Sequence, residues 1–202
     1  MLSIMDENQN NCLPHSPERM SRGDTALLVV DMQEKLLDAI AGSSRVVWNV
    51  RRLIDGAKIL GLPVIGTEQY PRGLGSTVPE LAKRLGPVPS KLTFSCGGCP
   101  GLFCDLPARG IHNMLVCGIE AHVCVQQTVL DLLADGWRVY VAADAVGSRF
   151  DVDSRFALQR MDSAGATLTT TEAALFEWCD VAGTPEFKQV SQLAREPGPQ
   201  DI

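Results

Sequence analysis

Short apolar runs alternate with longer amphipathic stretches along most of the chain. The runs are rich in β-branched residues, and they predict strands near 25–31, 63–67, 113–117, 138–142 and 166–169. Helix-compatible stretches separate these runs, which is the pattern of βαβ units and of a parallel sheet. We therefore expect an α/β fold, doubly wound and Rossmann-like, in which three layers enclose a mostly parallel sheet of about six strands.

Three of the intervening stretches have helical periodicity. Residues 45–60 place apolar side chains at spacings of three and four, and Gly61 and Pro63 follow where such a helix would end. Residues 122–135 repeat this pattern, and residues 152–163 form a third candidate. We expect these helices to cover the faces of the sheet.

The chain divides into one domain with two polar ends. Residues 1–23 lack an apolar period and are expected to form a flexible extension, and residues 197–202 are expected to form a C-terminal tail. The domain then spans residues 24–196, a length that one core can serve. Residues 68–112 hold six of the twelve prolines, and irregular excursions of this size on an α/β sheet commonly form active-site walls.

Composition and charge narrow the possible classes of function. The chain is 45% apolar and 21% charged, which is typical of a globular protein and too apolar for global disorder. A net charge of −6 argues against nucleic acid as the main partner, because phosphate binding needs a basic surface. The sequence has neither a membrane-length apolar stretch nor a signal-peptide pattern, so we expect no membrane partner and a cytoplasmic location. In that reducing compartment the seven cysteines would mostly be free thiols.

Three reactive residues follow predicted strands or lie next to them. Asp31 ends the first apolar run, Lys91 comes directly before a short apolar segment, and Cys124 follows a strand and a turn at Gly118. Because the carboxyl ends of parallel strands meet at one edge of a sheet, these side chains could share a site. A cysteine at a helix N-terminus is favoured as a thiolate, so Cys124 is the candidate nucleophile.

Three segments give the chain a family resemblance. Residues 28–33 (LVVDMQ), 91–95 (KLTFS) and 118–128 (GIEAHVCVQQT) resemble the three signature segments of the isochorismatase-like cysteine hydrolases, in the same order. The likeness covers roughly residues 24–180. Residues 67–75 (TEQYPRGLG) resemble one branch in particular, the isochorismatase domain-containing proteins. The resemblance implies a hydrolase that works without a cofactor.

The resemblance also implies a mechanism. Asp31 would take the thiol proton of Cys124, which would attack an amide-like carbonyl and form a thioester that water then hydrolyses. Lys91 would balance the charge beside them. The family pattern places a cis peptide bond between Ile119 and Glu120, so that the backbone N–H groups of Glu120 and Cys124 would form an oxyanion hole.

A further set of residues is expected to bind the substrate. Polar walls and aromatic side chains near the signature segments supply these candidates, which are Gln33, Glu68, Gln69, Tyr70, Phe94 and His122. For His122 a satisfied surface histidine is the alternative to a catalytic accessory. The Asp-x-His metal pair of nicotinamidase-type relatives has no counterpart at residues 67–70, so we expect no bound metal.

A cysteine cluster follows the second signature segment. Cys96 and Cys99 form a CxxC pair, and Cys104 lies five positions further on. A single pair of this kind is compatible with a zinc site, a reversible disulfide or ordinary loop thiols.

We therefore predict a cysteine hydrolase that cleaves a C–N bond in a small amide or ureide. The alternative is a protein that retains the fold as a catalytically weak interaction or redox-sensor protein. The two hypotheses differ at Cys124, because only an enzyme requires that thiol. Relatives of this fold commonly form closed oligomers, so we expect a homo-oligomer, either a dimer or a larger assembly.

Overall fold

A parallel five-stranded sheet forms the centre of the protein, whose computed structural model describes residues 14–199. The strands are β1 (Thr25–Val30), β2 (Val64–Gly66), β3 (Glu68–Gln69), β4 (Ser90–Lys91), β5 (Asn113–Ile119), β6 (Arg138–Gly147) and β7 (Thr167–Thr169). The main sheet has the order β2-β1-β5-β6-β7, and every neighbouring pair is parallel. All five predicted strands are present. About six had been expected, but the chain after β2 forms a separate pair, β3 with β4.

Helices cover both faces of this sheet. They are α1 (Glu34–Leu37), α2 (Ser43–Leu60), α3 (Pro71–Leu74), α4 (Pro79–Leu85), α5 (Gln126–Ala134), α6 (Asp151–Ser163), α7 (Thr171–Cys179) and α8 (Pro185–Ala194). Helices α2, α7 and α8 share one apolar cluster with the sheet, and α5 and α6 share the other. Successive residues of β1 alternate between the clusters: Leu27 and Val29 belong to the first, and Leu28 and Val30 to the second. The predicted three-layer α/β fold is confirmed.

The order of the strands locates the ligand edge of the sheet. The chain winds from β1 outwards to β2, and then crosses back to β5 on the other side of β1. The strand order therefore reverses between β1 and β5, and in open α/β sheets ligands bind beyond the carboxyl ends of the strands at such a switch point. Asp31 follows β1 and Glu120 follows β5, so both lie at this edge.

The three predicted helices are present. The stretch 45–60 is α2, which ends at Gly61 with φ of 79°, and 152–163 lies within α6. The stretch 122–135 is more complex, because a π-helical turn (Ala121–Val125) precedes α5. Among the described residues, no helix is both long and apolar enough to span a membrane.

Part of the predicted N-terminal extension packs against the domain. Met20 is buried, and its backbone N–H donates to Glu177 at 2.9 Å. The hydroxyl of Tyr140 donates to the backbone carbonyl of Glu18 at 2.9 Å. These contacts join the segment to α7 and β6, so the polar pattern of residues 14–23 reflects a surface-bound strap. Residues 1–13 of the predicted extension and 200–202 of the predicted tail lie outside the described residues.

Candidate functional site

The backbone turns sharply after β1 and presents Asp31 at the switch point. Asp31 adopts a φ of 49°, which is uncommon for a residue other than glycine and tends to occur at functional sites. Its N–H donates to the carbonyl of Thr67 at 3.2 Å, and its carbonyl accepts from the N–H of Gln33 at 2.7 Å. The side chain of Asp31 is completely buried.

A glycine allows β5 to end directly beside this turn. Gly118 has φ of 115°, and a Cβ built on it would lie 2.1 Å from the backbone oxygen of Val30. No side chain fits in that space, so glycine is required for the close approach of the two strands. The Ile119–Glu120 peptide bond that follows is cis, as the family resemblance implies.

Cys124 lies in the π-helical turn that connects β5 to α5. Its residue surface is 5% exposed, so the thiol is close to the surface but is largely shielded from water. The charge of Asp31 raises the pKa of this thiol, so the Asp31 carboxylate lies near the Cys124 sulfur. The chain thus brings two of the three predicted catalytic residues together from the ends of neighbouring strands.

Lys91, the third predicted catalytic residue, lies at the end of β4 and contacts Asp31. Its Nζ donates to Oδ2 of Asp31 at 2.6 Å and to Oε1 of Gln69 at 2.8 Å. It also donates to the backbone carbonyl of Phe94 at 2.8 Å, and the carbonyl of Thr93 lies at 3.3 Å. Three short contacts match the three hydrogens of an ammonium group, so Lys91 is held as a buried cation with one carboxylate partner.

The electrostatics of the site favour a protonated thiol at rest. Burial raises the pKa of Cys124 well above its usual range, and the charge of Asp31 raises it further, whereas Lys91 lowers it. This result differs from the thiolate expected at a helix N-terminus. The physical reason is that desolvation and the nearby carboxylate outweigh any helix dipole at this position.

Two predicted substrate-binding residues instead make hydrogen bonds within the chain. The amide nitrogen of Gln33 donates to the carbonyls of Gln69 and Gly75 at 2.9 and 2.6 Å, and its oxygen accepts from the N–H of Gln69 at 2.7 Å. Gln69 accepts from Lys91 through its side-chain oxygen, and its amide nitrogen donates to the carbonyl of Leu92 at 3.0 Å. Both amides therefore lie behind the site and brace the Lys91 loop.

Three further predicted substrate-binding residues, Glu68, Tyr70 and Phe94, belong to the segments next to Gln69 and Lys91. Glu68 accepts from the N–H and hydroxyl of Thr77 at 2.6 and 2.8 Å, which ties β3 to the following loop. Tyr70 and Phe94 are about half exposed, at 50% and 52%. They are therefore available to line the approach to the site.

Two pairs of polar residues lie next to the turn that holds Cys124. The Nδ1 of His122 and the hydroxyl of Ser148 lie 2.9 Å apart. The backbone N–H and the Nε of Arg149 both donate to Oε1 of Glu120, at 3.2 and 3.0 Å. These contacts connect the turn that holds Cys124 to the end of β6.

Comparison with known proteins identifies the family. The family model of the isochorismatase domain matches residues 25–173. The chain belongs to the isochorismatase domain family. Human isochorismatase domain-containing protein 2 (Homo sapiens) is 42% identical over 183 residues, which cover 90% of this chain and 88% of that protein.

Two solved structures extend this comparison. MAR1 ribonuclease from Caenorhabditis elegans is 42% identical with a TM-score of 0.83, over 91% of this chain and 95% of that one. The YcaC gene product of Escherichia coli, described as an octameric hydrolase of unknown specificity, is 26% identical with a TM-score of 0.80, over 91% and 93% of the two chains. The chain is therefore one of the isochorismatase-like hydrolases, and it has their α/β fold.

Two threonines of this isochorismatase domain contact the predicted catalytic residues but were not among the site residues predicted from the sequence. Thr67 donates to Oδ1 of Asp31 at 2.8 Å, and Thr128 donates to the carbonyl of Cys124 at 2.7 Å. Both threonines are buried. A sequence signal existed for Thr67, which ends the predicted strand 63–67 and therefore lies at the ligand edge.

The cysteine cluster of this isochorismatase domain lies beside the site. Cys96 is fully buried, Cys99 is buried and Cys104 is exposed, and all three are free thiols. Across residues 14–199, no three His, Cys, Asp or Glu side chains are grouped so as to hold a metal ion. The sulfur of Cys96 lies 3.5 Å from the hydroxyl of Thr67, so the cluster reaches the Asp31 carboxylate through one side chain.

Proposed function

We propose that the protein is a cysteine hydrolase that cleaves a C–N bond in a small amide or ureide. The observation that carries this proposal is that one carboxylate, Asp31, accepts a hydrogen bond from a buried ammonium group and acts through its charge on a buried thiol. A protonated thiol needs a base beside it, and Asp31 is the carboxylate whose charge acts on this thiol. Lys91 would balance the charge of the carboxylate.

The proposed reaction proceeds in two halves. Asp31 takes the proton from Cys124 as sulfur bonds to the substrate carbonyl, and the protonated carboxyl group then gives that proton to the leaving nitrogen as the C–N bond breaks. Water attacks the resulting thioester while Asp31 accepts a proton from it; the C–S bond then breaks, and the departing Cys124 thiolate takes that proton back from Asp31. The products are an amine or ammonia and a carboxylic or carbamic acid. We assign the oxyanion hole to the backbone N–H groups of Glu120 and Cys124.

Small substrates suit the surroundings of this site. The cysteine is largely shielded, so only a small group of a substrate would reach its sulfur. Tyr70 and Phe94 would contact its apolar part, and Glu68 and His122 would border its polar part. A reducing, cytoplasmic environment would keep the Cys124 thiol free for the reaction.

The test is release of ammonia from a panel of small amides and ureides, including nicotinamide. We compare the unmodified protein with Cys124→Ala and with Cys104→Ala, whose cysteine is exposed outside the site. Turnover that survives in Cys104→Ala and is lost in Cys124→Ala supports the proposal. Equal turnover in all three proteins contradicts it. Isochorismate is followed in parallel, because the family takes its name from cleavage of that compound.

Ribonuclease activity is a second candidate function. The observation in its favour is the 42% identity to the MAR1 ribonuclease from Caenorhabditis elegans. The net charge of −6 opposes it, since RNA is held mainly through its phosphates. Incubation of a labelled RNA with the same three proteins decides the matter. Cleavage that requires Cys124 would assign this activity to the same site, and cleavage that persists in Cys124→Ala would indicate a contaminant or another site.

We also propose that the protein forms a homo-oligomer. The YcaC homologue is described as octameric. Several large apolar side chains of this chain are exposed, among them Leu92 at 76%, Phe150 at 63% and Phe156 at 59%. Such side chains are suited to subunit contacts. Light scattering on the purified protein measures the assembly, and a mass equal to one chain would contradict the proposal.

An interaction or redox-sensor role without turnover remains the alternative if Cys124→Ala changes no activity.

A further inference from the structure

A ring made of four hydrogen bonds and one electrostatic interaction connects the base and the nucleophile of the candidate site. Starting at Asp31, the ring passes through the hydroxyl of Thr67 at 2.8 Å to the sulfur of Cys96 at 3.5 Å. The backbone N–H of Cys96 donates to the hydroxyl of Thr128 at 2.9 Å, and that hydroxyl donates to the carbonyl of Cys124 at 2.7 Å. The ring closes between the Cys124 thiol and Asp31, whose charge raises the pKa of that thiol.

The directions of these hydrogen bonds are consistent around the ring. Each threonine hydroxyl has one hydrogen, which it donates to Asp31 or to the Cys124 carbonyl, and each accepts one hydrogen from Cys96. Burial raises the pKa of Cys96, so its sulfur keeps the hydrogen that it needs in order to donate to Thr67. Cys96 therefore joins two arms of the ring: the Thr67 arm, which leads to Asp31, and the Thr128 arm, which leads to Cys124.

The Thr67 arm restricts how the carboxylate can rotate. Lys91 donates to Oδ2 of Asp31 and Thr67 donates to Oδ1, so each oxygen has its own buried donor. A carboxylate held at both oxygens cannot turn about its Cβ–Cγ bond without breaking one of these contacts. The Thr128 arm similarly fixes the backbone of Cys124 in its π-helical turn.

We propose that Thr67, Cys96 and Thr128 are positioning residues that hold the Asp31 carboxylate against the Cys124 thiol. This inference rests on the proposed function, in which Asp31 activates that thiol. It also gives Cys96, the first cysteine of the CxxC pair, a role as a neutral hydrogen-bond donor that requires neither metal nor disulfide.

The experiment measures how fast iodoacetamide alkylates Cys124 in the folded protein, by mass spectrometry of the peptide that contains it. Thr67→Val removes the hydroxyl at nearly constant volume, and we expect alkylation to slow about tenfold, since one hydrogen bond to a charged group is lost. Thr67→Ser restores the hydroxyl and should return the rate to within about twofold of the original. Thr25→Val is the matched control, because Thr25 is also buried and donates to a neighbouring aspartate, Asp24, away from the site.

A second pair of variants tests the Cys96 support. Cys96→Ala should slow alkylation of Cys124, and Cys96→Ser, which can still donate to Thr67, should slow it less. Cys117→Ala controls for the loss of a buried thiol outside the ring. This pair also keeps the inference testable if Thr67→Val does not fold, as judged by circular dichroism.

The outcomes separate the two proposals. Alkylation of Thr67→Val at or above the original rate, or a serine variant that fails to restore it, overturns the positioning role. Asp31→Asn is measured alongside. If Asp31→Asn slows alkylation while Thr67→Val does not, only the ring inference fails; if Asp31→Asn leaves the rate unchanged, the role of Asp31 as the base fails and the inference fails with it.

Discussion

The Nζ of Lys91 lies 2.6 Å from Oδ2 of Asp31, and neither side chain has any exposure to solvent. Removing one partner of a buried ion pair leaves an uncompensated charge in a medium that solvates it poorly. We expect Lys91→Met to lower the free energy of unfolding by about 3–5 kcal/mol, measured by urea denaturation.

The control for this prediction is an ion pair at the surface. Arg19 and Asp180 lie 2.7 Å apart with side chains 40% and 39% exposed, so Arg19→Met should change the free energy of unfolding by less than about 1 kcal/mol. Adding Asp31→Leu to Lys91→Met should recover part of the lost stability, because no buried charge then remains. A Lys91→Met protein as stable as the original would show that the pair is dispensable for folding.

Gly118 is predicted to be intolerant of any side chain. A Cβ at this position would lie 2.1 Å from the backbone oxygen of Val30, in the middle of the sheet, and its φ of 115° already disfavours other residues. Gly118→Ala should therefore destabilise the protein by more than about 4 kcal/mol or prevent folding. Gly136→Ala is the comparison, because Gly136 has φ of 90° and open space around it, so only about 1–2 kcal/mol of backbone strain is expected. Equal thermal stability of the two variants would contradict this account of the strand contact.

The sequence pattern predicts the sheet well because burial repeats along each strand. The apolar runs near 25–31 and 113–117 correspond to β1 and β5, which are buried at every position. The approach of Asp31 to Cys124 was also predictable, since both follow strands that lie side by side at the switch point. Residue type and strand order were sufficient for these features.

The hydrogen-bond partners within the site were not predictable in the same way. Gln33 and Gln69 were assigned to the substrate, yet the partners of Gln33 lie 36 and 42 residues away in the chain. A polar residue near a site has the same sequence signature whether it faces the ligand or braces a loop. The raised pKa of Cys124 was not predictable for a related reason, because burial and the position of a carboxylate are properties of the folded structure.

Gln69 provides a test that separates these two roles. Its side-chain oxygen accepts from Lys91, so Gln69→Leu should misplace the ammonium group and lower kcat about tenfold or more while leaving KM nearly unchanged. Phe94→Leu, at a half-exposed position, should act mainly on KM. Kinetics on the best substrate of the amide panel measures both variants. If Gln69→Leu raises KM at constant kcat, the originally predicted substrate contact is correct.

The last prediction concerns stability in alkaline solution. Complete burial raises the pKa of Cys117 far above its usual range, so the folded thiol stays protonated at pH values where the unfolded chain ionises. The unfolded state then binds fewer protons, and the free energy of unfolding falls as the pH rises above about 8.5. This contribution is fully present below that pH and is lost at up to about 1.4 kcal/mol per pH unit above it. Between pH 9 and 10.5 the original protein should lose about 2 kcal/mol that Cys117→Ala does not lose.

Urea denaturation at pH 7.5, 9 and 10.5 measures this difference in slope. Val116→Ala is the matched control, because Val116 is the neighbouring buried residue of β5 and has no titrating group. Val116→Ala should have a lower free energy of unfolding at every pH, because it creates a cavity. The change of that free energy with pH should be the same as in the original protein. Parallel curves for Cys117→Ala and the original protein would contradict the prediction, since they would mean that the Cys117 thiol ionises equally readily in the folded and unfolded chains.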